Sequence, residues 1–272
     1  MGHPHVGAGT RVLDADGVTE VMCGAVDPAA VAGGIYMPEA IQLTTGLAQQ
    51  EIITRLKDAG VQFQWDTPAT GVRIVEQIRE AVGDRIDIMM EYHGLWRLPQ
   101  ICQIARALDD LDVYWHEDPV PMHRFDDLER FKAATTSRVC GSENLGTKFW
   151  YAEAFEHGCI DVAHFDLCWI GGLTEGRKIA ALAETYERPI APHDCVGPVT
   201  LIASSHLTLS APNALIQETV RAFYRGYYRD LVTDLPHIED GYLYPMQGAG
   251  LGTELLADRF SRDDVNIVRS TN

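Results

Sequence analysis

The chain has 272 residues, 46% of them hydrophobic, and a formal charge of −17 from 22 Lys and Arg against 39 Asp and Glu. That length holds one large domain or two small ones, and the apolar fraction supports a sizeable core and excludes global disorder. The acidic excess argues against a nucleic-acid partner, which needs clustered basic residues to neutralise phosphates.

Taken in chain order, the start "MGHPHVGAGT" lacks the apolar stretch of a signal peptide, and residues 1–16 read as an irregular leader. "VTEVMCGAV" then reads as a strand, "PEAIQLTTGLAQQEIITRLKDAG" as a helix punctuated by Pro38 and Gly60, and "VQFQW" as a strand. "GVRIVEQIREAVG" has helical apolar spacing, "IDIMM" is a strand and "LPQICQIARALDDL" an amphipathic helix. The alternation continues with strands "DVYWHE", "RVCGSE", "IDVAHFD", "PIAPH" and "ALIQE". Between them lie helical "RFDDLERFKAAT", "KFWYAEAFEHG", "LTEGRKIAALAETYE" and "PVTLIASSHLTLSAP". Strands separated by helices predict a parallel sheet, and short apolar strands predict one covered on both faces. A closed βα barrel over residues 17–220 is the economical α/β architecture, with an open doubly wound sheet as the runner-up. Residues 221–272 read as a C-terminal helix and a tail packing on the barrel. In that tail "GAGLGTEL" lacks the strand–turn–helix setting of a phosphate loop and reads as a turn.

Six cysteines, at 23, 102, 140, 159, 168 and 195, form no C-x-x-C pair and several sit in apolar runs. They read as reduced structural cysteines of a cytoplasmic protein. No apolar run reaches the length of a membrane span.

The strand ends carry the functional signal. Glu91, Glu117, Glu143, Asp166, His193 and Glu218 follow one another at intervals of 26, 26, 23, 27 and 25 residues. One βα unit per interval puts all six at the same end of the barrel, the rim where catalysis sits in this architecture. A single acidic residue after a strand is most often a helix cap or a solvated position, and Asp118 is read that way. Three acidic residues in register would repel unless a cation neutralises them, and oxygen-only ligands suit Mg²⁺ or Mn²⁺ rather than zinc. Asp166 and His193, from adjacent strands, form a carboxylate–imidazole dyad able to act as a general base. His93, two residues beyond Glu91, lies close enough to act as an acid. His116, His123, His157, His164, His206 and His237 lack such register and are read as structural.

Together "EYHGLW", "HEDPV", "GSENL", "FDLCWIGGLTEGRKIAALAE", "APHDCVGP" and "NALIQE" resemble the barrel domain of the enolase superfamily. The likeness runs in order from Val72 to Gly252, and is greatest to the acid-sugar dehydratases of the mandelate racemase subgroup. It implies the (β/α)7β variant of the (β/α)8 TIM barrel. It implies metal ligands at Glu91, Glu117 and Glu143, the base dyad at Asp166 and His193, and a substrate-carboxylate partner at Glu218. It also implies a leaving-group acid at His93. Such sites are a known case of a His base working with Mg²⁺. The implied reaction is Mg²⁺-dependent dehydration of a small acidic sugar to a 2-keto-3-deoxy acid, through α-proton abstraction and an enediolate. The family is often oligomeric, which implies a homo-oligomer.

Two departures stand out. The family commonly carries a second base, often lysine, on the second barrel strand, where this chain has Gln62 and Gln64 in "VQFQW" or Met22 in "VTEVMCGAV". That favours one-base dehydration over racemisation or epimerisation. The family also has an N-terminal capping domain, and this chain begins almost at the barrel; a barrel that binds without turnover is therefore a rival reading. A metal-dependent hydrolase would show H-x-H on its first strand, and His3 and His5 sit instead in the leader.

Overall fold

The computed structural model describes residues 68–262 and 268, and the backbone of two short strands before them. Those are β1 (Arg11–Leu13) and β2 (Gly34–Tyr36), which pair antiparallel with Arg11 opposite Tyr36. β1 falls inside the segment expected to be irregular. In the backbone register Val12 stands opposite Ile35 and Leu13 opposite Gly34. The expected strands "VTEVMCGAV" and "VQFQW" and the helix between them lie outside the described residues.

The elements that follow are α1 (Pro68–Val82), β3 (Ile88–Glu91), α2 (Leu98–Leu108), β4 (Val113–Glu117) and α3 (Phe125–Lys132). Then come β5 (Arg138–Gly141), α4 (Lys148–Glu156), β6 (Val162–Ala163), α5 (Leu167–Ile170), α6 (Leu173–Thr185) and α7 (Pro198–Ser210). The C-terminal part holds α8 (Arg221–Arg225) and a hairpin of β7 (Ile238–Glu239) and β8 (Tyr242–Leu243). Packing divides the chain into two units, Met1–Ile88 with Gln103–Val113 and Met89–Cys102 with Tyr114–Asn272.

In the first unit Arg79 closes the C-terminal end of α1. Its guanidinium donates to the carbonyls of Leu111 (2.9 Å), Gly83 (2.7 Å), Ile86 (3.0 Å) and Asp112 (2.8 Å). A planar five-donor group can satisfy several orphan carbonyls at once, which a lysine could not do with the same geometry.

The second unit carries the four-stranded sheet in the order β3–β4–β5–β6. Its parallel register places Glu117 opposite Cys140 and Cys140 opposite Val162. Trp115, Cys140, Val162 and Ala191 pack together as a buried cluster. Side chains alternate along a strand, so Glu117 shares the face of Trp115, His164 that of Val162 and His193 that of Ala191. Two residues beyond Trp115, Val162 and Ala191 the inner apolar layer therefore gives way to ionisable side chains, and two residues beyond Cys140 to the hydroxyl of Ser142.

The expected strands "PIAPH" and "ALIQE" shrink to single parallel bridges, from Ala163 to Ile190 and from Ile190 to Ala214. Pro189 and Pro192 have no N–H to give to a ladder, so regular pairing cannot extend across them. Donation nevertheless keeps the sheet in step, from Ala191 to Ala163, His193 to Phe165, Leu215 to Ile190 and Glu218 to Pro192, at 2.8–3.2 Å. Six consecutive parallel segments thus lead to one rim.

Helices cover the outside. α3 carries Asp126 and Asp127 in its first turn and Arg130 and Lys132 in its last, opposing the helix dipole at both ends. Gly176 of α6 lets neighbouring helices close in, since a Cβ there would stand 2.7 Å from Leu167 Cδ2 and 3.0 Å from Leu207 Cδ2. The C-terminal helix is only five residues long, ending at Gly226, after which Tyr228 turns inward and is fully buried.

Candidate active site

Each rim residue is set by the local chain around it. Beyond β3 the backbone of His93 and then Gly94 enters the left-handed region, with φ of 52° and 62°. Gly94 N donates to Asp118 O at 2.6 Å, and a Cβ on Gly94 would press within 3.2 Å of Val120 O. This close approach binds the loop after β3 to the loop after β4 and needs glycine. Beyond β5, the buried Tyr151 hydroxyl donates to Ser142 O (2.9 Å) and accepts from Ser142 N (3.2 Å), while Ser142 Oγ donates to Asp118 Oδ2 (2.7 Å). The loop that delivers Glu143 is thereby fixed from both sides.

Beyond β6, Asp166 caps the one-turn helix α5 by accepting from Cys168 N at 2.6 Å, and Gly171 ends that helix in the left-handed conformation. Its other oxygen, Oδ2, lies 2.7 Å from His193 Nδ1. Asp166 is fully buried, so the dyad is preformed. Burial works against charge on His193, but Asp166, then Cys195 and Glu218, outweigh it and push the imidazole up to about 11. With Nδ1 committed to Asp166, Nε2 faces the rim, 3.7 Å from Glu218 Oε2.

The carboxylates expected at the rim do converge. Glu91 neighbours Glu117 and keeps about a third of its side chain exposed; partial desolvation and then Glu117 push its carboxyl up. Burial also opposes ionisation of Glu117, yet the proximity and charge of His164 hold it below the ordinary carboxylate range. Trp115 Nε1 donates to Glu117 Oε2 at 3.1 Å. His93 Nδ1 stands 3.2 Å from Glu143 Oε1 and 3.8 Å from Glu91 Oε1, so one exposed imidazole gathers two of the three glutamates.

Asp118, expected to be only a cap, is buried against Glu143. Burial and the charge of Glu143 push it up to about 8, against the hydrogen bond from Ser142. Glu143 Oε2 and Asp118 Oδ1 are both buried without a donor. Four carboxyl groups with too few donors can be neutral only by holding protons or a cation. The donor set therefore fits a hard divalent ion. Donor atoms of Glu117, Glu143 and His164 lie within 4.8 Å of one another, as do those of His164, His193 and Glu218, while Glu91 belongs to neither group.

His164 is the residue that the register of strand ends passes over. It is 1% exposed, and its Nδ1 lies 2.5 Å from Ala191 O. Its Nε2 stands 3.0 Å from Glu117 Oε1 and 3.5 Å from Glu218 Oε2. Burial lowers its basicity, but Glu117 and Glu218 prevail and raise it to about 9. Its signal is period two within its own strand: it precedes Asp166 by two residues, so both point inward. Four of the other histidines set aside have partners elsewhere: His116 between Tyr92 and Phe131, His157 on Glu129, His206 on Leu251 O and His237 on Glu239.

Glu218 is reached from the C-terminal segment. Asp194 N donates to Glu218 Oε2 at 3.1 Å, and the buried Tyr228 hydroxyl donates to Asp194 Oδ1 at 3.1 Å. Burial raises Glu218, partly offset by His164 and His193, and raises Asp194 to about 7. Cys140, Cys159, Cys168 and Cys195 are free thiols, the first two of them buried. Among the described residues no helix is long and apolar enough to cross a membrane.

A parallel βα sheet whose strands end in carboxylates and an Asp–His pair places this protein among the α/β folds of the TIM-barrel class. The chain belongs to the Enolase C-terminal domain-like family, which its sequence matches over residues 41–259. It is 35% identical to D-xylonate dehydratase of Haloferax volcanii over 69% of this chain and 45% of that protein. It is 30% identical to D-galactonate dehydratase of Pectobacterium atrosepticum over 74% of this chain and 52% of that one. Among solved structures, an enolase of the mandelate racemase subgroup from Agrobacterium tumefaciens aligns with 46% identity and a TM-score of 0.66, covering 70% of this chain and 52% of that one. An enolase protein from Sargasso Sea environmental sequencing aligns with 40% identity and a TM-score of 0.70, over 78% and 57%. The chain spans about half the length of the curated relatives it matches.

Proposed function

We propose that this chain carries the catalytic barrel of a sugar-acid dehydratase, a hydro-lyase that converts a small acidic sugar to a 2-keto-3-deoxy acid. The observation that carries the proposal is the buried Asp166–His193 dyad, at 2.7 Å, on the same rim as His93 and the glutamates. Glu91, Glu117 and Glu143 would hold Mg²⁺ or Mn²⁺. Bound there, the ion supplies Lewis-acid stabilisation of negative charge on the substrate carboxylate.

The residues supply the rest. Asp166 fixes the tautomer of His193, so that Nε2 takes the proton from the carbon next to the carboxylate. Glu218, whose burial favours the protonated form, can donate to the incoming carboxylate. His93 is 62% exposed and tethered to Glu143, and can give a proton to the departing β-hydroxyl, which leaves as water. The resulting enol tautomerises to the keto acid, and the net change is loss of one water. A partner rich in hydroxyls and bearing one carboxylate matches this polar, acidic rim.

The test is turnover of a sugar-acid panel by the full chain with Mg²⁺, beginning with D-xylonate and D-galactonate and following 2-keto acid formation. His193→Asn should cost at least about 100-fold, the lower end of what a positioned base contributes. Undiminished turnover in that variant would remove His193 from the mechanism.

A further inference from the structure

We propose that His164 is a positioning residue that sets the Glu117 carboxylate for the metal and ties it to Glu218, an inference that rests on the metal reading above. Nδ1 faces a backbone carbonyl, Ala191 O, at 2.5 Å, and a carbonyl can only accept, so Nδ1 carries a proton. That bond anchors the ring, which is also packed edge-on to His193 with centroids 5.4 Å apart and tilted against Trp115 at 6.1 Å. So held, Nε2 stands 3.0 Å from Glu117 Oε1 and 3.5 Å from Glu218 Oε2, within ion-pairing range of both though not aligned for a hydrogen bond to either.

Trp115 Nε1 occupies the other oxygen of Glu117 at 3.1 Å. The two oxygens therefore meet a hydrogen-bond donor from β4 and an imidazole just beyond β6, and Trp115 and Val162 of those two strands belong to the buried cluster under the rim. A glutamate side chain has three rotatable bonds, and clasping both oxygens fixes the lone pairs left for a cation. Partners that orient a ligand in this way typically account for about 10–100-fold in metal affinity. The same imidazole reaches the carboxylate proposed to meet the substrate, so the two halves of the site share one support.

The experiment is Mn²⁺ titration of the full chain by electron paramagnetic resonance, with circular dichroism melts to verify folding. His164→Leu should weaken Mn²⁺ binding by about 10-fold or more. His164→Gln, whose amide can still donate to Glu117, should restore most of it. A Leu variant that folds and binds Mn²⁺ as tightly as wild type, or more tightly, overturns the proposal. A second measurement needs no variant: in the Mg²⁺-loaded wild type with ¹⁵N-labelled histidine, a positioning role requires protons on both ring nitrogens of His164. A bare Nε2 there means that His164 is a ligand and overturns it too. A wild type that binds no Mn²⁺ sinks the metal centre itself, and this inference with it.

Discussion

Metal binding at the rim should be coupled to release of a proton, and Glu91 is its source. Side by side, with Glu117 buried and held ionised by His164, Glu91 and Glu117 cannot both ionise cheaply, so the pair retains one proton, favoured on Glu91. A cation held by Glu91 must displace it. One proton exchanged per ion makes the affinity rise about tenfold for each pH unit, or about 100-fold from pH 6 to pH 8. The sign follows from competition: at lower pH the proton holds Glu91 more strongly. Calorimetric titration of Mg²⁺ or Mn²⁺ at pH 6, 7 and 8, in buffers with different ionisation heats, reads the affinity slope and the proton count independently. Glu91→Gln should abolish the release. An affinity flat across that range, with no buffer-dependent heat, would refute the shared-proton picture.

Three further outcomes are expected. Because Asp166 raises His193, and the base must be deprotonated, kcat/KM should climb with pH beyond the ordinary histidine value of 6.5; Asp166→Asn should move the climb to lower pH, and a flat profile between pH 6.5 and 9 would count against the dyad. Tyr228→Phe removes the donor to Asp194 and should raise KM more than it lowers Mn²⁺ affinity, measured by steady-state kinetics and metal titration in parallel. Asp161 receives Lys132 (2.5 Å), Arg188 (3.1 Å) and Val139 N (2.8 Å), so Asp161→Asn should cost roughly 2 kcal/mol in urea melts while leaving Mn²⁺ affinity unchanged.

Much of this site can be read from the sequence because function sits at a regular structural position. Glu91, Glu117, Glu143, Asp166, His193 and Glu218 each end an apolar segment, and one βα unit of spacing brings them to one rim. His164 escapes that reading since spacing between strands cannot find a residue that faces the site from within a strand. The α5 turn escapes for a different reason: four residues are too few for helical periodicity, although Asp166 and Gly171 are its caps in plain view. The last two expected strands keep their direction and register but lose their regular pairing, because Pro189 and Pro192 carry no donor. Asp118 looks like a cap in sequence and becomes a buried partner of Glu143 only through the fold.

Asp161, which anchors Lys132, Arg188 and Val139, lies just before β6, at the opposite end of that segment from His164 and Asp166. The strand is thus tied down at one end and chemically equipped at the other, with only the apolar layer between. Such a division lets substitutions at the rim alter chemistry while the anchors preserve folding. A lineage, or an experimenter, could rework substrate choice on this scaffold by exchanging loop and rim residues, with little need to rebuild what keeps it standing.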